Sequence, residues 1–361
     1  MTKKNTLVEF ARFMFSLLVI GYHVQASFSV AKTDFFEWGT LAVEFFFILS
    51  GYFFAVSVDK FVEKDDSLFA FYGKFMTKKV KGILSVHCVA IIAAIVVLAA
   101  CAPQMFEQKF VQGLPSVFLV QMFVVWDSSF SNALIVPEWY ISSMLICLAI
   151  MSPIAFALRK RIKGVFVPLI LVGILGVLAV IGGFAMKWNL TQNFIFDLRA
   201  WGEMCVGMFA YHVAKAVAQK EYGEKGTAIL KALEIVCYLV PIVVGFLPLD
   251  SNLSFVGMIV AVVCTFVAIS ITFAGKGIVI KKEKINSIFS FLGSISLAIY
   301  LFHPVIIQLL DYVYADVAEW AKYLIVFSST VALAVCYKFA SILIVKAIRI
   351  SKEKRSARSA L

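Results

Sequence analysis

The chain has 361 residues, 62% hydrophobic and only 15% charged, with a mean hydropathy of +0.94. That balance excludes a soluble domain of this size and defines a polytopic membrane protein. A net charge of +11 invites a nucleic-acid partner, but the basic residues follow membrane topology instead, as their placement shows.

The first element, FARFMFSLLVIGYHVQ at residues 10–25, is an apolar helix that carries Arg12 and His23. Eleven positions at about 100° each put both side chains on one face, roughly 16 Å apart along the axis. Ionisable groups in a lipid-spanning helix are costly and usually face a bundle interior or a watery cavity. The segment has some marks of a secretory signal, with Lys3 and Lys4 ahead of it and Val24-Gln25-Ala26 near its end. Its length and the interrupting Arg12 favour a retained first helix.

Windows of about 20 apolar residues are needed to cross the hydrocarbon. Ten occur, at residues 6–28, 38–58, 83–103, 136–157, 165–185, 197–216, 228–249, 254–275, 286–310 and 321–345. The stretch FVQGLPSVFLVQMFVVW at 110–126 is apolar too, but Gly113 and Pro115 interrupt it. It reads as re-entrant or interfacial. The expected fold is therefore an all-α membrane bundle of about ten helices, with a membrane domain over 1–345 and a basic cytoplasmic tail over 346–361.

With the N-terminus inside, the inner segments hold 26 of the 33 Lys and Arg, and the outer segments hold only Lys32, Lys109 and Lys187. This is the positive-inside pattern, and it sets both termini in the cytoplasm. The seven cysteines are dispersed through apolar segments with no CxxC pair, so neither a disulfide framework nor a zinc site is expected.

Given this topology, the rise per residue places His23, Glu44, Arg199 and His303 at a common depth in the outer half of the membrane, from four different helices. Arg12 lies deeper toward the cytoplasm. Glu44 either pairs with Arg12 or Arg199 to hold helices together or takes part in chemistry. His303 precedes Pro304, which removes the N–H that would bond the Tyr300 carbonyl. Tyr300 and His303 share a face. Ser50 and Gly51 fit close helix packing. His87 and His212 fall near inner helix ends and receive no role. In FYGKFMTKKVKG (71–82), Lys74, Lys78 and Lys81 share a face, which serves either topology or phosphate binding. P-loop, HExxH, GxSxG and Rossmann fingerprints are absent. Histidine is thus the best general base available.

Five stretches in order along this topology carry a family resemblance. They are the Arg12/His23 pair, AVEFFFILSGYF in the second helix, WYISSML at 139–145, LRAWGEMCVGMFA in the sixth and FLGSISLAIYLFHP in the ninth. Together they resemble the acyltransferase-3 family of integral membrane acyltransferases, which modify bacterial surface glycans and related acceptors.

The resemblance implies an acyl-CoA donor, acetyl-CoA first among them, at the cytoplasmic side and an envelope saccharide or lipid-linked glycan outside. It implies His23 as leading catalytic residue with Arg12 in support; beside them the residues themselves offer Glu44 and His303 as catalytic candidates and Ser50, Trp139, Arg199 and Tyr300 as supporting ones. Two arginines of the family's first cytoplasmic loop are replaced here by Lys78 and Lys81, which keep the charge but lose the bidentate fork. Met144 stands where relatives often have glutamate, as in a shorter-type member. The tail follows the helices where many relatives append an esterase-like domain, so transfer is expected within the membrane domain or with a partner. No metal is implied. The location expected is the bacterial inner membrane. A transporter built on broken helices, or a non-catalytic sensing or support module, are the competing classes.

Overall fold

In lipid, backbone N–H and C=O groups must be satisfied within the chain, so long apolar runs become helices. The computed structural model describes residues 5–28, 36–62, 67–123, 133–157, 173, 192–246, 254–313 and 317–358. Among these, ten helices and no strand occur: α1 (Thr6–Phe28), α2 (Ala42–Val62), α3 (Leu68–Cys101), α4 (Phe106–Val117), α5 (Trp139–Ala157), α6 (Gln192–Ala218), α7 (Glu224–Phe246), α8 (Ser254–Ala274), α9 (Glu283–Val313) and α10 (Glu319–Arg358). Every predicted window except 165–185 coincides with one of these helices; 165–185 lies outside the described residues apart from Gly173.

Eight segments among the described residues are long and apolar enough to cross a membrane. The core of α6 falls short only in composition, because it carries Asp197, Arg199 and Glu203, all buried. Packing directions agree with the alternation set by the basic loops. Helices α1 and α9 run parallel, with Phe10 stacked on Phe289 at 4.3 Å near one end and His23 beside His303 near the other. Helices α2 and α6 are also parallel, with Glu44 against Arg199 near one end and Asp59 against Lys215 near the other, and they touch backbone to backbone where they cross. A Cβ on Gly51 would strike the Met204 carbonyl, and one on Gly207 would strike that of Ile48. Small residues permit this approach where lipid gives helices no hydrophobic reason to associate.

Two lengths exceed what spanning needs. The 34 residues of α3 cover about 51 Å against a hydrocarbon core of about 30 Å. Its first turns, capped by Ser67 Oγ accepting the Ala70 N–H at 3.3 Å, therefore carry the lysine run beyond the membrane. Helix α10, with 40 residues, continues unbroken to Arg358, so the last basic residues described are turns of that same helix.

Helix α4 turns back after α3. Its end reaches His87, whose Nε2 lies 3.2 Å from the Val117 carbonyl. His87 is 14 residues, roughly 21 Å, before the end of α3. That is a re-entrant course, one of the two readings the interrupted apolar stretch allowed.

Candidate active site

The predicted ionisable residues gather into two groups rather than one. The first is an imidazole pair: the rings of His23 (α1) and His303 (α9) lie 5.0 Å apart. His23 Nδ1 is 2.8 Å from the Val19 carbonyl and His303 Nδ1 is 3.3 Å from that of Ile299. A carbonyl only accepts, so Nδ1–H donates in both rings and each neutral imidazole presents a bare Nε2 lone pair. His303 is fully buried and its Nε2 has no partner among the described residues. Pro304 frees the Tyr300 carbonyl, and the imidazole reaches both that carbonyl and the carbonyl of Ile299.

The second group is a buried carboxylate–guanidinium–carboxylate cluster. Arg199 pairs with Glu44 of α2 through Nη2, and with Glu203, one turn along α6, through Nε at 3.1 Å. Both glutamates are fully buried. Arg199 also lies over the Trp139 ring at 6.0 Å, a cation–π distance. Of the two partners open to Glu44, Arg199 is the one taken. Arg12 pairs instead with Glu9 on its own helix at 3.3 Å, because an i,i+3 neighbour shares its face. Glu203 completes the cluster, and its signal in the sequence is its place as the i+4 neighbour of Arg199.

A cavity of about 560 Å³ opens among α1, α2, α3, α5 and α9. Lys60, Lys74, Lys78 and Lys79 line one end, Arg12 and Glu9 follow, and Ser50, Tyr140, Met144 and Tyr300 line the other. Ser50 Oγ sits 3.3 Å from both Tyr140 Oη and Met144 Sδ. Tyr300 joins the cavity to the imidazoles: its ring lies 5.9 Å from His303 and 5.8 Å from Tyr140. Its hydroxyl donates to the Pro137 carbonyl.

The lysine face is turned from the predicted one. Lys74 and Lys78 line the cavity, and Lys79 rather than Lys81 joins them there. Phe71 and Phe75 are buried, Phe71 against Phe156 and Phe75 against Phe54, and this fixes the rotation of α3. Lys79 then follows Phe75 by one turn, with Nζ 5.8 Å from its ring. Among the described residues no three His, Cys, Asp or Glu side chains gather as a metal site.

Lipid-spanning helices around a buried polar centre define a multi-pass integral membrane protein. The chain belongs to the acyltransferase 3 family, matching its acyltransferase domain over residues 5–339. It is therefore a membrane acyltransferase. No curated protein and no solved structure matches it.

Proposed function

We propose that this acyltransferase moves an acetyl group from cytoplasmic acetyl-CoA to a hydroxyl of an envelope saccharide, at the bacterial inner membrane. The observation that carries this reading is the cavity that runs from four lysines to Tyr300, which adjoins the two imidazoles. Lysines suit phosphates as compact charges, and Arg12 stands farther in, where it can meet the donor's pantetheine arm. Residues 1–345 then act as one membrane domain, with 346–361 as its basic tail.

In the reaction proposed, the thioester lies at the Tyr300 end of the cavity and the acceptor hydroxyl reaches His23 from the outer side. Nε2 of His23 takes the hydroxyl proton as the oxygen bonds to the thioester carbon. The C–S bond breaks, and the CoA thiolate leaves with the proton returned by the imidazolium. His303 supports the pair from the buried side. Acetyl-CoA turnover by the purified protein, with mass spectrometry of envelope glycans from cells with and without it, tests this reading. The absence of both turnover and any acylation difference would sink it.

Two further results are expected. Replacing Lys74, Lys78 and Lys79 together with Ala should raise the KM for acetyl-CoA several-fold at low salt, while Lys81→Ala leaves it near wild type. The difference should shrink as ionic strength rises, since exposed charges are screened over about 8–10 Å near physiological salt. An unchanged KM at low salt would return these lysines to topology alone.

Met144 narrows the end of the cavity beside Tyr140 and Ser50. Met144→Ala should thus move the preference from acetyl toward longer acyl groups, read as the ratio of kcat/KM for butyryl-CoA over acetyl-CoA. A constant ratio would remove Met144 as the acyl-length determinant.

A further inference from the structure

A buried imidazole–carboxylate pair lies apart from the imidazoles of His23 and His303 and from the Arg199 cluster. His87 of α3 and Glu138, in the short 3₁₀ turn Val136–Glu138 that opens α5, are 51 positions apart, with Nδ1 and Oε1 at 2.6 Å. Their side chains are 2% and 0% exposed. Nε2–H of the same imidazole donates to the Val117 carbonyl at 3.2 Å. One ring thus ties α3, the end of α4 and the head of α5 together.

Gluing helices does not require charge. A buried ion pair is often no more stabilising than apolar side chains of similar volume, because both groups must be desolvated. What is particular here is the neighbour. The residue before Glu138 is Pro137, whose carbonyl accepts the Tyr300 hydroxyl. The Glu138 N–H closes the turn on Ile135 at 3.1 Å. With the turn closed on one side and the carboxylate held by His87 on the other, that carbonyl has little freedom.

We propose that His87 and Glu138 are positioning residues for acyl transfer. They fix the Pro137 carbonyl, the carbonyl fixes the Tyr300 hydroxyl, and Tyr300 sets the wall between the cavity and His303. Neither touches substrate. The inference rests on the reading that transfer takes place at the Tyr300 end of the cavity.

The test is a mutant cycle in the full-length protein. The first arm replaces the pair with apolar residues, His87→Leu with Glu138→Met, which removes both polar partners together and leaves only the Val117 carbonyl without its donor. The second arm is Tyr300→Phe. With acetyl-CoA as probe, the pair variant should stay folded, melting only a little below wild type for the lost Val117 contact, yet lose kcat about tenfold, with KM for the donor unchanged. Such a loss is what one misplaced hydrogen bond of about 1.4 kcal/mol produces. Combined with Tyr300→Phe it should cost nothing further, because both arms act through one contact. His87→Asn, which keeps an N–H toward Glu138, should recover most of kcat. Full activity in the pair variant, or losses that multiply in the combination, would overturn the proposal.

A second readout needs no turnover: 3-fluorotyrosine at position 300 should change its ¹⁹F shift in the pair variant and regain it in His87→Asn. An unmoved resonance would also overturn the proposal. A wild-type protein without acetyl-CoA turnover but with the shifted resonance would count against the acetyl-transfer reading, not against the pair.

Discussion

His23→Ala should abolish acyl transfer while the protein still inserts and melts near the wild-type temperature. The ring is only partly buried, and its one hydrogen bond among the described residues is to its own helix, so its removal leaves no partner there unsatisfied except a carbonyl that the helix already bonds. Chemistry loses much more. A positioned base contributes about 10²–10⁴-fold, so kcat should fall by at least two orders of magnitude with little change in KM for acetyl-CoA. His303→Ala should give a smaller loss of turnover and a larger loss of stability, because that ring is fully buried and its deletion leaves a cavity. Well-folded His23→Ala protein that still acetylates at the wild-type rate would end the assignment, and His303 would become the base to test.

The Arg199 cluster should behave in the opposite way. Arg199→Ala leaves Glu44 and Glu203 buried beside each other without a cation. Removing one partner from a buried charge cluster typically costs about 3–5 kcal/mol. The protein should therefore express poorly and melt well below wild type in detergent. Neutralising the whole cluster, Glu44→Gln with Arg199→Met and Glu203→Gln, should recover much of that loss, because no charge then remains unpaired. An Arg199→Ala protein with an unchanged melting temperature would mean that the cluster does not bear on stability and that its role lies elsewhere.

Much of the site was legible in the sequence because one helix or one depth contained it. Arg12 and His23 share a face by arithmetic alone. His23 and His303 were matched in depth by counting residues from the cytoplasmic end of two outward helices, and parallel packing of α1 on α9 then makes equal depth mean contact. The lysine run was legible as a basic cluster but not in rotation. Lys78, Lys79 and Lys81 differ by fractions of a turn, and which of them meets the cavity depends on Phe71 and Phe75 finding aromatic partners on α5 and α2.

By itself, the sequence determined the membrane class, the helix windows that fall on described residues and the family, because hydropathy and ordered motifs are local properties. Only the tertiary structure decided who pairs with whom. Glu44 was equally open to Arg12 and Arg199 until the glycines of α2 and α6 brought those two backbones together and left Arg12 to Glu9. His87 had no visible partner until α4 turned back along α3 and the head of α5 delivered Glu138 to it. Pairings across 51 or 155 residues depend on how helices rotate and approach each other, and no window of sequence carries that information.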